Sequence, residues 1–360
     1  MNMMISFEHK IAAFERLGSL LRSVGEKNGQ LETTDTEVVD KYHKLNNLCT
    51  DLARYNTWFD EAHVRRMMFA LGESLEEDKL RRWTGRYEPR ILAGDKKKVV
   101  GVVMAGNVPA VGFHDFLSVL ISGHQLLAKL SSEDDKLLPA IAELLFAIEP
   151  AFEEQVTFTR GTLKSFDAVI ATGSNNTSRY FDYYFSAYPH IIRRNRNGVA
   201  VLTGNETEKD LQGLADDIFL FYGLGCRNVS KIFVPENYDF DSLLQITGSR
   251  EEVTENHKYF NNYEYNKAIY LVNGTPHFDT GNLLVTENVA VVSPVSVLHY
   301  EFYKDKEALK AVLEADREKI QCVVGNPDVM DGIVPFGKSQ QPELWDYADG
   351  VDTMEFLLSL

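Results

Sequence analysis

Val99-Val100-Gly101-Val102-Val103-Met104-Ala105-Gly106-Asn107-Val108-Pro109 is the stretch whose reading decides the fold. Residues 99–105 form an apolar run rich in β-branched side chains, without the polar alternation of a half-solvated strand. A strand of that kind needs cover on both faces, the condition of a parallel sheet between helical layers. Gly106 to Pro109 stops the run, and helical apolar spacing follows from Phe113 to Ser122. Asn107 therefore sits at the carboxyl edge of the sheet, where open α/β folds bind ligands.

The rhythm repeats after this unit. Leu126-Leu127-Ala128-Lys129-Leu130 reads as a second strand and Asp134 to Ile148 as a second helix. Asp167 to Thr172 is a third strand, followed by the turn Gly173-Ser174 and a helix from about Asn175. Val199 to Leu202 and Val229 to Val234 are further strands, separated by a helix from Thr207 to Tyr222 and the break Gly223-Leu224-Gly225-Cys226. Short buried strands alternating with helices define an α/β fold. The first ~90 residues differ: His9 to Ser23, Thr34 to Leu52 and Glu61 to Trp83 show helical spacing and no chemistry-bearing cluster, so packing is their expected role.

Composition narrows the function. The 360 residues are 44% hydrophobic and 25% charged, enough chain for two domains or one large α/β unit. A formal charge of −16 gives no footprint for nucleic acid or an anionic membrane surface. Residues 1–18 lack a cationic start followed by an apolar run, so no signal peptide is expected. No stretch of 18 apolar residues calls for a membrane span. Three cysteines neither make a disulfide framework nor cluster for a metal, so no metal is expected and reduced cytoplasm is the expected compartment.

Each candidate residue carries two readings. Cys226 behind Gly223 and Gly225 is either a small buried hydrophobe or a nucleophile pushed into a cleft by a sharp turn, with Arg227 favouring its thiolate. Cys49 and Cys322 lie in apolar contexts and read as core. Asn107 either satisfies a turn or donates to an oxyanion. Lys129 with Ser131 and Ser132 at a strand end suits a nucleotide ribose or phosphate, or is a snorkelling lysine beside surface hydroxyls. Gly173-Ser174 opens a helix whose amides can receive a phosphate. The aromatic stretch Arg179 to Phe185 reads as core on one helix face. Gly332 to Ser339 matches GxxxxGK[ST], but only 21 residues follow and Pro342 interrupts them, so a phosphate-binding loop is not expected. His114, His124, His190, His257, His277 and His299 show no metal spacing.

Taken together these segments resemble the aldehyde dehydrogenase superfamily. The nearer resemblance is to the acyl-CoA reductase family that supplies fatty aldehyde in bacterial bioluminescence. It rests on GNVPAVGFHDF (106–116), LLAKLSSED (126–134), IATGSNNTSRYF (170–181), RNRNGVAVL (194–202), FYGLGCRNVSKIFVP (221–235) and the tail FGKSQQPELWDYADGVDTMEFL (336–357). The resemblance implies an aldehyde dehydrogenase-like fold: a helical region to residue 90, a Rossmann-type cofactor domain over 91–205, an α/β catalytic domain over 206–335, and a tail, 336–360, returning to the cofactor domain. The strand pair around Tyr87–Ile91 and Val99–Met104 would then suit an oligomer arm.

It also implies NADPH-dependent reduction of an acyl-CoA or other acyl thioester. Cys226 becomes the nucleophile and Asn107 the oxyanion donor, paired with the Cys226 backbone N–H. Lys129, Ser131 and Ser132 fall at the adenosine ribose, and Gly173 and Ser174 beside the diphosphate and nicotinamide half. The chain departs from the superfamily at three places. Ser178 replaces the second turn glycine. Ser132 replaces the acid that grips the ribose hydroxyls, with Glu133 one place later, which favours NADPH over NADH. The general-base glutamate of aldehyde-oxidising members falls near Ile192. A non-catalytic nucleotide or acyl-binding module and a thiol acyltransferase are the alternatives. A homo-oligomer or an acyl-transfer partner stays open.

Overall fold

The structure, a computed structural model, describes residues 5–27, 29, 31, 33–94 and 97–360. Residues 1–4 of the stretch read above for a leader lie outside them. The chain divides into two compact units, one of 1–194 with 343–360 and one of 195–342.

Unit one holds a five-stranded sheet: β1 (Val99–Val103), β2 (Gln125–Lys129), β3 (Val156–Thr159), β4 (Ala168–Thr172) and β5 (His190–Arg193). Their order is β3-β2-β1-β4-β5 and every pairing is parallel. Val100, Val102, Leu126, Ala128, Val169 and Ile170 are buried, as expected of a sheet covered on both faces. The helix Phe113–Ser122 follows β1 and the helix Leu137–Ile148 follows β2. The short edge strand β3 carries too little pattern to be read alone; Val156, Phe158 and Thr159 are half-buried and Thr157 is exposed.

The N-terminal helices Phe7–Gly25, Thr36–Asp51, Glu61–Ser74 and Glu77–Thr84 share one core with this sheet. Buried Lys10 reaches across, donating to Leu120 O at 3.0 Å and Ile121 O at 3.1 Å, two carbonyls that end the helix after β1. The region expected as one helix from Glu61 to Trp83 breaks at Leu75-Glu76. Ser74 Oγ there bonds back to Leu71 O at 2.7 Å, and Leu75 is fully buried. Tyr87–Ile91 is not part of a strand pair: Glu88–Ala93 is a short helix, with Pro89 in its first turn where a missing N–H costs nothing.

The segment Glu343–Leu360 belongs to the first unit. Tyr347 OH accepts from Trp83 Nε1 at 2.7 Å, and His114 Nε2 and His124 Nε2 donate to Leu344 O and Leu357 O, each at 2.9 Å. Arg193 forms a buried bidentate pair with Asp115 at 2.6 and 2.8 Å and donates to Thr353 Oγ1 at 3.1 Å.

Unit two holds β6 (Asn197–Val201), β7 (Val229–Pro235), β8 (Phe278–Asp279), β9 (Leu284–Glu287), β10 (Val297–Tyr303) and β11 (Ile320–Gly325). Their order is β11-β6-β7-β10-β9-β8, parallel except for the β8–β9 pair. Among the described residues no helix is long and apolar enough to cross a membrane.

Candidate active site

In unit one the chain runs outward from β1 through β2 to β3, then returns to lay β4 on the other side of β1. The carboxyl ends of β1 and β4 therefore flank a topological switch point, the usual crevice for a ligand of an open parallel sheet. Asn107, exposed, follows β1, and Gly173 and Ser174 follow β4. Lys129 ends β2, with Ser131 half-buried and Ser132 exposed beyond it. Six of the seven expected site residues thus stand on one sheet edge.

Buried Asp134, missed by the sequence reading, ties this edge together. One oxygen accepts from Ala110 N at 2.9 Å and the other from Leu137 N at 3.2 Å, which joins the loop after β1 to the loop after β2. Burial raises its carboxyl above the ordinary range. Ala110 is held at φ 51°, a left-handed conformation unusual for alanine. Gly106 permits the approach of the two loops, since a Cβ there would lie 2.5 Å from Ser131 Oγ. Ser174 accepts from Thr177 N at 3.2 Å and so caps the helix Asn175–Phe185. That helix corrects the reading of its aromatics: Tyr180, Tyr183 and Tyr184 are exposed, while Phe185 packs on Phe166 and Phe181 on Phe185. One apolar side of the helix suffices to cover a sheet edge.

Unit two presents Cys226 on a turn built from strain and side-chain bonds. The helix Glu208–Phe219 ends in a tight turn where Phe221, Tyr222 and Gly223 are left-handed in succession, at φ 52°, 58° and 73°. Such conformations persist in bulky residues only where the surroundings over-determine them. Here Phe221 and Tyr222 are buried, and Tyr222 packs on Tyr259. Asn228 then closes the turn around Cys226. Its N–H donates to Gly225 O at 3.0 Å and its Oδ1 accepts from Gly225 N at 2.8 Å. Its Nδ2 donates to Asp217 O at 3.0 Å and Leu220 O at 2.8 Å. A Cβ on Gly225 would lie 2.8 Å from that Oδ1, so the turn admits only glycine without movement. Cys226 is exposed, whereas Cys49 and Cys322 are buried and none is in a disulfide. Burial pushes the Cys49 thiol up to about 12, which keeps it inert.

The false phosphate-loop motif has a place in this unit. Buried Asp217 accepts from Gly337 N at 2.7 Å and Ser339 N at 3.0 Å, and Arg227 Nε donates to Ser339 O at 2.5 Å. Residues 337–339 thereby brace the turn that carries Cys226. Burial raises the Asp217 carboxyl. Neither Asp217 nor Asn228 stood out in the sequence, because an Asp on a helix and an Asn before a strand have many ordinary uses. Among the described residues no group of three His, Cys, Asp or Glu is placed to hold a metal.

Around Ile192, where the resemblance places the general base of aldehyde-oxidising members, residues 189–195 contain no Asp or Glu. His190 Nδ1 donates to Tyr188 O at 2.8 Å on an exposed strand end, Arg193 is held by Asp115, and Asp182 pairs with Arg194 at 3.1 Å.

The backbone is similar to aldehyde dehydrogenase 21 from Physcomitrella patens, solved with the reaction product succinate. The TM-score is 0.60 at 12% identity, covering 98% of this chain and 88% of that one. A Thermus thermophilus 1-pyrroline-5-carboxylate dehydrogenase matches with TM-score 0.55 and 14% identity over 98% and 83% of the two chains. An E. coli NADP-dependent enzyme matches with TM-score 0.57 and 13% identity over 89% and 77%. These neighbours establish an aldehyde dehydrogenase-like fold. No curated protein matches the sequence. The family model of acyl-CoA reductase (LuxC) matches residues 19–246, more than half of the chain. That span includes the sheet edge from Asn107 to Ser174 and the Gly225–Asn228 turn with Cys226, and the chain belongs to the acyl-CoA reductase (LuxC) family.

Proposed function

We propose that this oxidoreductase reduces an acyl-CoA, fatty acyl by family resemblance, to its aldehyde with NADPH, through an acyl-enzyme on Cys226. The observation that carries the reading is that one exposed thiol is held between the left-handed residues Phe221 to Gly223 and a fully bonded buried Asn228. Cys226 thiolate attacks the acyl carbonyl, the carbon–sulfur bond to CoA breaks, and CoA leaves as its thiolate, which takes a proton from solvent. Asn107 is assigned to the oxyanion that forms in this step.

The donor set at the sheet edge fits a nicotinamide dinucleotide: a lysine and two hydroxyls after β2, a capped helix N-terminus after β4, and no acid at Ser132. Lys129, Ser131 and Ser132 would hold the adenosine ribose and its phosphate, and Gly173 and Ser174 the diphosphate side. A nicotinamide held there would supply the hydride for reducing the Cys226 thioester to aldehyde, with Cys226 released as its thiolate. The lack of a carboxylate in Pro189–Asn195 favours reduction over hydrolysis, since general-base activation of water is typically worth ~10²–10⁴-fold.

Incubation with radiolabelled acyl-CoA in the absence of cofactor tests this. Label should appear on wild type and not on Cys226→Ala, while Cys226→Ala still binds NADPH. A wild-type protein that never becomes acylated overturns the reading.

A further inference from the structure

We propose that Arg160 selects the 2′-phosphorylated dinucleotide, exchanging its partner Asp135 for the 2′-phosphate. This rests on the cofactor reading above and names the residue that decides between the two nicotinamide nucleotides.

Position is the first argument. In the parallel β2–β3 pair Lys129 is registered with Thr159, and Leu130 N donates to Thr159 O at 2.9 Å. Arg160 therefore leaves the sheet at the same level as the loop after β2. Gly161 N donates to Thr159 Oγ1 at 3.0 Å, which fixes the backbone on either side of Arg160. The guanidinium reaches back to that loop: its Nη2 lies 2.7 Å from Asp135 Oδ2, beyond Ser131 and Ser132 in the same segment. In dinucleotide-binding sheets the end of the second strand meets the ribose 2′-hydroxyl. An acid there selects the unphosphorylated nucleotide, and a nearby arginine accommodates the 2′-phosphate.

Energetics is the second. The Arg160 side chain is 73% exposed, and an ion pair so exposed contributes little. A doubly charged phosphate offers the same planar fork two parallel charge-assisted bonds, so the exchange runs toward phosphate. The surrounding charges are mixed. Lys136 also faces Asp135, at 3.7 Å, while leaning on the Tyr55 ring. Exposed Glu133 and Asp135 itself oppose a phosphate. Arg160 thus supplies the positive charge that tips the balance, and Asp135 parks it until the phosphate arrives.

The test is binding of adenosine 2′,5′-bisphosphate and 5′-AMP, with NADPH and NADH alongside, to the whole chain by calorimetry or nucleotide fluorescence. Arg160→Ala should weaken the bisphosphate and NADPH by ~10–100-fold and leave 5′-AMP and NADH within about twofold. Arg160→Lys should recover part of the loss, and Asp135→Asn should tighten NADPH. Equal losses for both nucleotide classes, or none, overturn the proposal. If wild type binds neither NADPH nor NADH, the cofactor reading itself falls and this proposal with it.

Discussion

The two units position their candidate residues by different means. In unit one, residues follow strands of a parallel ladder, and the backbone order β3-β2-β1-β4-β5 alone brings Asn107, Lys129, Ser131, Ser132, Gly173 and Ser174 to one edge. In unit two, a single thiol is held by a strained turn, one asparagine side chain and a bracing segment more than a hundred residues away. A ladder spreads its tolerance over many bonds. A side-chain clamp concentrates it in one or two.

Asp115→Ala probes the first of these with the largest expected effect. Breaking the buried bidentate pair strands the Arg193 charge and should cost about 3–5 kcal/mol of stability in urea unfolding. The fraction still folded should bind nucleotide within a few-fold of wild type, because the β1, β2 and β4 edges keep their ladder. Nucleotide binding lost in step with stability would break the contrast between the units.

Asn228→Ala probes the second. It removes the acceptor for Gly225 N and the donor to two carbonyls, an expected loss of about 2–4 kcal/mol. The rate of Cys226 acylation in folded protein should also fall on the order of 10²-fold, as expected for a misplaced nucleophile. Nucleotide affinity should stay unchanged. Normal acylation in a destabilised Asn228→Ala protein would mean that the turn serves folding only.

The smallest expected effect concerns pH. Burial holds His114 and His124 below the ordinary 6.5, and both donate from Nε2 to carbonyls of the C-terminal segment in unit one. As pH falls through 6.5 the unfolded chain takes up these protons first, so stability present above that value is lost on acidification. Each histidine contributes a slope of at most ~1.4 kcal/mol per pH unit. His299, also lowered by burial, adds one such group to unit two. The urea midpoint should therefore drop between pH 7.5 and 5.5, and the double variant His114→Gln with His124→Gln should flatten most of the drop. A midpoint flat over that range would sink this assignment.

How much was legible follows the same division. The apolar runs at Val99, Leu126, Ala168 and Val229 announced buried strands, and the helix Phe113–Ser122 and the start of the helix at Asn175 stand where their spacing puts them. The strand β3 and the helix at Glu88 escaped the reading. One is an edge strand of four residues, and the other turns on Pro89 in a segment too short for a period to form. The exposed face of Tyr180, Tyr183 and Tyr184 escaped it as well, since aromatic content alone does not say which side of a helix meets solvent.

By itself the sequence determined the α/β class, the carboxyl-edge placement of Asn107 and Lys129, and the glycine-framed turn before Cys226, because each depends on neighbours within about ten residues. Tertiary structure alone decided that Asp134 joins two loops, that Asp217 and Arg227 seize residues 337–339, and that Asn228 closes the turn around the thiol. Most of these contacts join residues distant in the chain through one or two buried polar groups. Burial makes such bonds obligatory, since an unpaired polar group inside a protein costs the full price of its desolvation. Their partners are chosen by the fold, and no local period records the choice.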